Sequence, residues 1–282
     1  RGGAEPGSAE AQAEEEEVKG ATDTHIHVYD AAAPAAPGTP MPGHYDVPMY
    51  RKVQQRLGLE RVVIVQPNAY RDDNRVTLAA VETLGAAARA VAVVTESVED
   101  AELERLTRAG VVAQRFFDLP GGSVPFSRME AVMARVHPFG WHANLQLDGR
   151  ELPKHEPQIR QLPGRFVIDH NGKFLEPVST EHEAFRTLLS LIDTGRCWVK
   201  LAAPYETSRT GAPKYEDVSR LARELVRHAP ERMLWASNWP HPSVPPGTVD
   251  DLDLLRLLED WAPRAADRRK ILVDNPAELY GF

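Results

Sequence analysis

From residue 21 onward, short apolar runs alternate with longer stretches in which apolar residues recur at helical spacing. The runs predict strands at 21–28, 61–68, 90–95, 111–118, 142–148, 166–171, 197–202 and 233–239. Most are rich in Val, Ile, Phe or Trp, the composition of parallel strands covered on both faces. The amphipathic stretches predict helices at 73–89, 99–109, 127–137, 181–194 and 215–229, with closing helices within 251–282. Gly110 and Gly195 stand where a helix should stop just before a strand. Strands separated by helices imply βαβ units and a parallel sheet. A count of eight favours closure into a (β/α)8 TIM barrel over an open doubly wound sheet. A Gly-rich dinucleotide loop after the first strand would favour the open sheet. The first strand instead carries His25-Ile26-His27 and leads into a Pro/Ala-rich loop, 31–43.

Composition narrows the partners. The chain has 282 residues and a net charge of −8, with no basic stripe to neutralise phosphates, so no nucleic-acid partner is expected. No apolar run approaches the roughly 20 residues of a membrane span, so no membrane partner is expected either. The single cysteine, Cys197, rules out an intrachain disulfide and fits a cytoplasmic location. Export through a removed signal is the open alternative. Residues 1–20, rich in Ala, Glu and Gly, read as a disordered acidic tail preceding one domain, 21–282. The oligomeric state is not legible.

In such barrels chemistry sits at the C-terminal ends of the strands. Those ends carry His25 and His27; Gln66 and Asn68; Arg115 and Asp118; Asn144, Gln146 and Asp148; Asp169, His170 and Asn171; Lys200; and Asn238, with His241 just beyond. Loops add Gly121, Gly122, Tyr205, Ser208 and Arg209. So many polar ends on one face are costly to a core unless they line a cleft. Each also has a purely structural reading: arginines as surface ion pairs, Lys200 snorkelling to the mouth, Asp118 to Gly122 as a turn.

Asp23-Thr24-His25-Ile26-His27, Asp169-His170-Asn171-Gly172-Lys173 and Ser237-Asn238-Trp239-Pro240-His241 resemble the amidohydrolase superfamily, in its pyrone-dicarboxylate lactonase-like branch. The stretches 66–74, 118–122, 204–209 and 228–232 support the likeness, and Leu119 to Gly122 and Tyr205 to Arg209 point to galactarolactone-isomerising members. The resemblance implies a barrel acting on a small carboxylated lactone. The expected reaction turns D-galactaro-1,5-lactone into the 1,4-lactone by intramolecular acyl transfer. It also implies that no cofactor is needed. Any divalent metal would sit at His25, His27 and His170. Hydrolytic members carry an Asp where this chain has Asn238, and a neutral amide is neither a base for water nor a good ligand for a hard cation. The lactonases carry a carboxylate-binding Arg where this chain has Glu206.

On this reading His25, His27, His170, Lys200 and Asn238 are catalytic. One histidine moves the proton, the others and Lys200 polarise the carbonyl, and Asn238 hydrogen-bonds the substrate. Arg115, Arg209 and the amides of Gly121 and Gly122 would hold the carboxylate. Asn68, Gln146, Tyr205 and His241 complete the substrate-binding set. The competing expectations are a lactone hydrolase of the same branch, a zinc-dependent decarboxylase of the superfamily, and a non-catalytic barrel that binds sugar acids.

Overall fold

A computed structural model describes residues 19–282 of the chain. Eight parallel strands run in the order β1 to β8: Thr22–Ile26, Arg61–Val65, Ala88–Ala92, Val111–Phe117, His142–Gln146, Phe166–Ile168, Cys197–Leu201 and Met233–Trp235. The ring is closed by backbone bonds between its first strand and the segment after its last. The Asn238 amide donates to the His25 carbonyl at 2.9 Å, and the His27 amide to the Trp239 carbonyl at 2.8 Å. The expected (β/α)8 barrel is therefore the observed fold. The acidic segment expected as a disordered tail lies outside the described residues, apart from Lys19 and Gly20; Gly20 is buried and donates its amide to Glu60.

The helices are α1 (Val47–Leu57), α2 (Arg75–Leu84), α3 (Asp100–Arg108), α4 (Met129–Val136), α5 (Leu152–Arg160), α6 (Glu183–Ile192), α7 (Glu216–His228), α8 (Asp251–Trp261), α9 (Ala265–Arg269) and α10 (Asn275–Tyr280). The βα rhythm implies a helix in each interval between strands, and α1 and α5 fill two intervals for which the residues mark no explicit bounds. Helix α1 carries ordinary punctuation: Asp46 caps its start by accepting the Met49 amide, and Gly58 ends it in the left-handed region. Helix α5 has Pro157 inside it, which weakens its helical pattern. None of the described helices is long and apolar enough to cross a membrane.

The alternation of strand residues sorts them into two cores. Val62, Ile64, Ala90, Ala92, Leu145 and Ile168 pack outward beneath the helices. Val63, Val65, Val91, Ala113, Val167 and Leu234 fill the barrel interior, where Leu279 and Tyr280 of α10 join them. Higher in the interior the same inward positions turn polar: His25, Arg115, Asn144, Asp169 and Lys200, all buried.

Several predicted strands end early. Residues 169–171 and 236–239 leave the sheet because His170 (φ 52°), Asn171 (φ 57°) and Asn238 (φ 56°) adopt left-handed backbone, which a strand cannot contain. Helix α2 stops at Leu84, before the predicted 89, because Gly85 (φ 69°) breaks it and β3 begins at Ala88.

Candidate active site

The C-terminal ends of the strands surround a cavity of ≈ 410 Å³. Its wall includes His27, Asn68, Arg115, Gln146, His170 and Asn238, with Gly121 at the rim. The loop after β1 roofs it with residues 38–42. Tyr70 pins that loop: its hydroxyl accepts the Asp30 amide at 3.0 Å and donates to the Ala33 carbonyl at 2.9 Å.

Backbone conformation marks the same face. His170, Asn171, Lys173, Ala203, Asn238 and His241 all have positive φ, and all follow β6, β7 or β8. Such residues cost about 1–3 kcal/mol each and persist only where their surroundings fix them. Here the Lys173 amide donates to the His170 carbonyl at 2.7 Å, and Asn171 Nδ2 donates to the Ala202 carbonyl at 2.8 Å.

The β1 histidines form a closed chain. His27 Nδ1 lies 2.8 Å from the Val65 carbonyl, which can only accept, so Nδ1 carries the proton. Burial, with Arg115 adding to it, holds the His27 pKa down at about 3, so the ring is neutral and its Nε2 is an acceptor. His25 Nε2, 3.2 Å away, must then donate to it. That leaves His25 Nδ1 bare, and the Lys200 ammonium donates to it at 3.0 Å. Burial also pushes His25 well below its ordinary value, helped by Lys200. Lys200 is lowered to about 8 by burial, with Asp169 opposing the drop. Asp169 Oδ1 lies 3.7 Å from the ammonium, and its Oδ2 accepts from Asn144 at 3.0 Å.

His170 is placed differently. Burial lowers its pKa well below the usual value against the pull of Asp169, so it is neutral. Its Nδ1 is buried with no partner, and its Nε2 stands 3.8 Å from Glu206, too far for a hydrogen bond. Glu206 itself sits 3.4 Å from Lys173 Nζ. Asn238 donates to the Tyr205 hydroxyl at 3.0 Å, which fixes the orientation of its amide. Arg115 donates to the Gln66 carbonyl at 3.0 Å, to Asn68 at 3.4 Å and to Gln146 at 3.2 Å, while its Nε–H has no partner.

The predicted residues thus separate into three groups. His27, Asn68, Arg115, Gly121, Gln146, His170 and Asn238 meet at the cavity. His25 and Lys200 are fully buried and reach it through His27 and through His170, whose ring centroid lies 4.9 Å from that of His25. Gly122, Tyr205, Arg209 and His241 are not on its wall. The Gly122 amide donates within its own turn to Leu119, and a side chain there would collide with Phe117. The Arg209 guanidinium turns outward to Glu176 at 2.6 Å, 67% exposed. His241 pairs with Asp251 at 2.6 Å, and Tyr205 stands behind Asn238.

Three charged wall residues were absent from the predicted site: Arg71, Lys173 and Glu206. Their position in the stretches 66–74, 169–174 and 204–209 was the available signal.

The group that could hold a metal ion also differs from the expected one. It is His25, Asp169 and His170, whose ligand atoms lie within 4.8 Å of one another. His27 is not part of that group.

An eight-stranded barrel with a His-x-His pair at its mouth defines an amidohydrolase-type protein. The Amidohydrolase family matches residues 22–282, and the chain belongs to that family. It is 42% identical to the D-galactarolactone isomerase of Agrobacterium fabrum, over 93% of this chain and 91% of that protein. It is 33% identical to a 2-pyrone-4,6-dicarboxylate hydrolase of Comamonas testosteroni, over 93% and 90% of the two chains. A ligand-free crystal structure from Agrobacterium tumefaciens is 42% identical and superposes with a TM-score of 0.87, covering 93% of this chain and 96% of that one.

Proposed function

We propose that this chain isomerises a sugar-acid lactone, converting D-galactaro-1,5-lactone into the 1,4-lactone. A hydroxyl oxygen of the substrate attacks its own ring carbonyl and forms the new C–O bond. The old ring C–O bond breaks, and its oxygen takes up the proton lost by the attacking hydroxyl. No water enters. Folding the substrate into the attacking geometry supplies much of the rate, since oriented intramolecular attack has an effective molarity of roughly 10⁵–10⁸ M.

The observation that carries this reading is the pairing of His170 with Asn238. His170 is a neutral base in the cavity wall with both ring nitrogens uncommitted, and the end of β8, two strands further round the same wall, offers an amide where hydrolysis would want a carboxylate. His170 takes the proton from the attacking hydroxyl and returns it to the leaving oxygen. Arg115, with its Nε–H free, donates to the developing oxyanion. Asn68 and Gln146 contact substrate hydroxyls. His25, His27 and Lys200 hold the floor of the site in one protonation pattern. The relationship to the D-galactarolactone isomerase supports the choice of substrate.

The reaction needs no metal on this reading. His25 already receives the Lys200 ammonium on Nδ1 and donates from Nε2 to His27, so a metal there would have to displace one of them. A divalent cation near the Asp169 carboxylate would also face that ammonium, 3.7 Å from Oδ1. With His25 so engaged, only the unpartnered Asp169 Oδ1 and His170 Nδ1 are left as ligand atoms, beside an ammonium, which is a poor fit to a resident ion. The buried free thiol of Cys197 fits a cytoplasmic location.

Proton NMR with mass spectrometry, following galactaro-1,5-lactone and the protein in ¹⁸O-enriched water, tests both points. The expected first product is the unlabelled 1,4-lactone, formed equally fast with a chelator. Direct release of labelled open-chain diacid would overturn the isomerase reading, and loss of the rate with chelator would overturn metal independence.

A further inference from the structure

Two of the groups expected to hold the lactone's free carboxylate are committed elsewhere: Arg209 faces Glu176 in solvent, and the Gly122 amide closes a turn. Of the cations on the cavity wall, Arg115 is held by Gln66, Asn68 and Gln146, and Lys173 is paired with Glu206. Arg71 is the remaining one. Its guanidinium makes no hydrogen bond or ion pair among the described residues.

The chain takes trouble to put it there. Arg71 has φ 49° and ψ −120°, backbone that glycine adopts freely and an L residue does not. The conformation is enforced by a buried amide. Gln66 Nε2 donates to the Arg71 carbonyl at 3.0 Å and to the Asp73 carbonyl at 2.8 Å, and Thr77 donates to Gln66 Oε1 at 2.7 Å. The Arg71 amide donates to the Asn68 carbonyl at 3.1 Å. A position that suits glycine is thus occupied by arginine and clamped from behind.

Charge across the cavity sets the orientation. Glu206, on the loop after β7, lies three strands from β2 around the ring. Paired with Lys173, its carboxylate leaves no uncompensated positive charge on that side, so an anion is drawn to the β2 side. We propose that Arg71 receives the free carboxylate of the lactone, its planar fork matching the two oxygens. This proposal rests on the sugar-acid lactone reading. It makes Arg71 the residue that selects a lactone bearing a second acid group.

The test compares wild type with Arg71→Ala and Arg71→Gly. Glycine relaxes the backbone, so the second variant keeps the loop and separates a lost contact from a lost fold. For galactaro-1,5-lactone both variants should raise KM by about tenfold or more while kcat stays within roughly threefold, the size expected for one partly exposed charge-assisted pair. Turnover of a galactonolactone, which lacks the carboxylate, should not change. Calorimetric titration with galactarate should show the same weakening without any reaction. Unchanged KM and unchanged galactarate affinity in both variants would overturn the proposal while leaving a wild-type isomerase intact. A wild type that binds galactarate through Arg71 yet rearranges no lactone would overturn the isomerase reading and leave the carboxylate site standing.

Discussion

His27 and His170 line the same cavity, and burial keeps both neutral, yet their nitrogens are in opposite conditions. His27 donates to Val65 and accepts from His25, which in turn accepts from Lys200. His170 has no hydrogen-bond partner at Nδ1 and none within range at Nε2. A base needs a free lone pair aimed at the reacting proton. The difference therefore assigns chemistry to the β6 histidine and architecture to the β1 pair, although the His-x-His pattern is the more conspicuous in the sequence.

The largest expected effect breaks this comparison if it fails. His170→Ala should lower kcat by about 10²–10⁴, the usual contribution of a positioned proton acceptor. His27→Asn, which keeps a donor for the Val65 carbonyl, should lose about tenfold or less. Steady-state kinetics on both variants decide it, and equal losses would erase the distinction. Next is the chain's anchor. Lys200→Met leaves Asp169 buried beside no cation and should destabilise the fold by about 3–5 kcal/mol, as removal of one partner of a buried pair does. Calorimetry should register this as a fall in Tm of roughly 10 °C, and an unchanged Tm would show the ammonium to be dispensable.

A pH dependence sharpens the comparison. His27 and His142 are lowered to about 3, and His25 and His170 well below 6.5. The unfolded chain binds protons at these positions near pH 6.5 while the folded chain does not. Their contribution to stability is therefore present above pH 6.5 and lost as pH falls toward about 3. Asp23 works the other way. Burial raises it to about 6, so its contribution is present below the ordinary carboxylate value of 3.8 and lost as pH rises through 6. One carboxyl against four imidazoles leaves a net loss on acidification, at about 1.4 kcal/mol per pH unit for each proton of imbalance. Urea unfolding between pH 7.5 and 5 should show the midpoint falling, and more gently in His27→Asn. A midpoint that rose on acidification would contradict the buried, neutral histidines.

The barrel was legible because alternating apolar runs and amphipathic stretches are long-range regularities that survive local detail. Strand ends were not, because residues such as His170 and Asn238 leave the sheet through left-handed backbone that no side-chain pattern announces. Among site residues, those pointing inward from a strand, such as His27, Arg115 and Gln146, followed from period-two counting. Residues on the following loops did not. Arg209 and His241 lie only a few residues beyond β7 and β8, yet neighbouring acids Glu176 and Asp251 draw them away. Arg71 was missed for the reverse reason, since a loop arginine beside two aspartates reads as surface.

The seam of the barrel has a consequence for how the protein is made. Asp23 accepts from the Ser237 amide and hydroxyl and from Tyr50, and the separation between Asp23 and Ser237 is 214 residues. The bonds that join His25 and His27 to Asn238 and Trp239 span nearly the same stretch of chain. Contacts this distant in sequence form late, because the entropy of closing so long a loop must be met first. Synthesis of the last strand and arrival of Asn238 beside the histidines are then one event. A nascent or partly folded chain can own most of its secondary structure and still have no cavity, so this barrel is silent until it is whole.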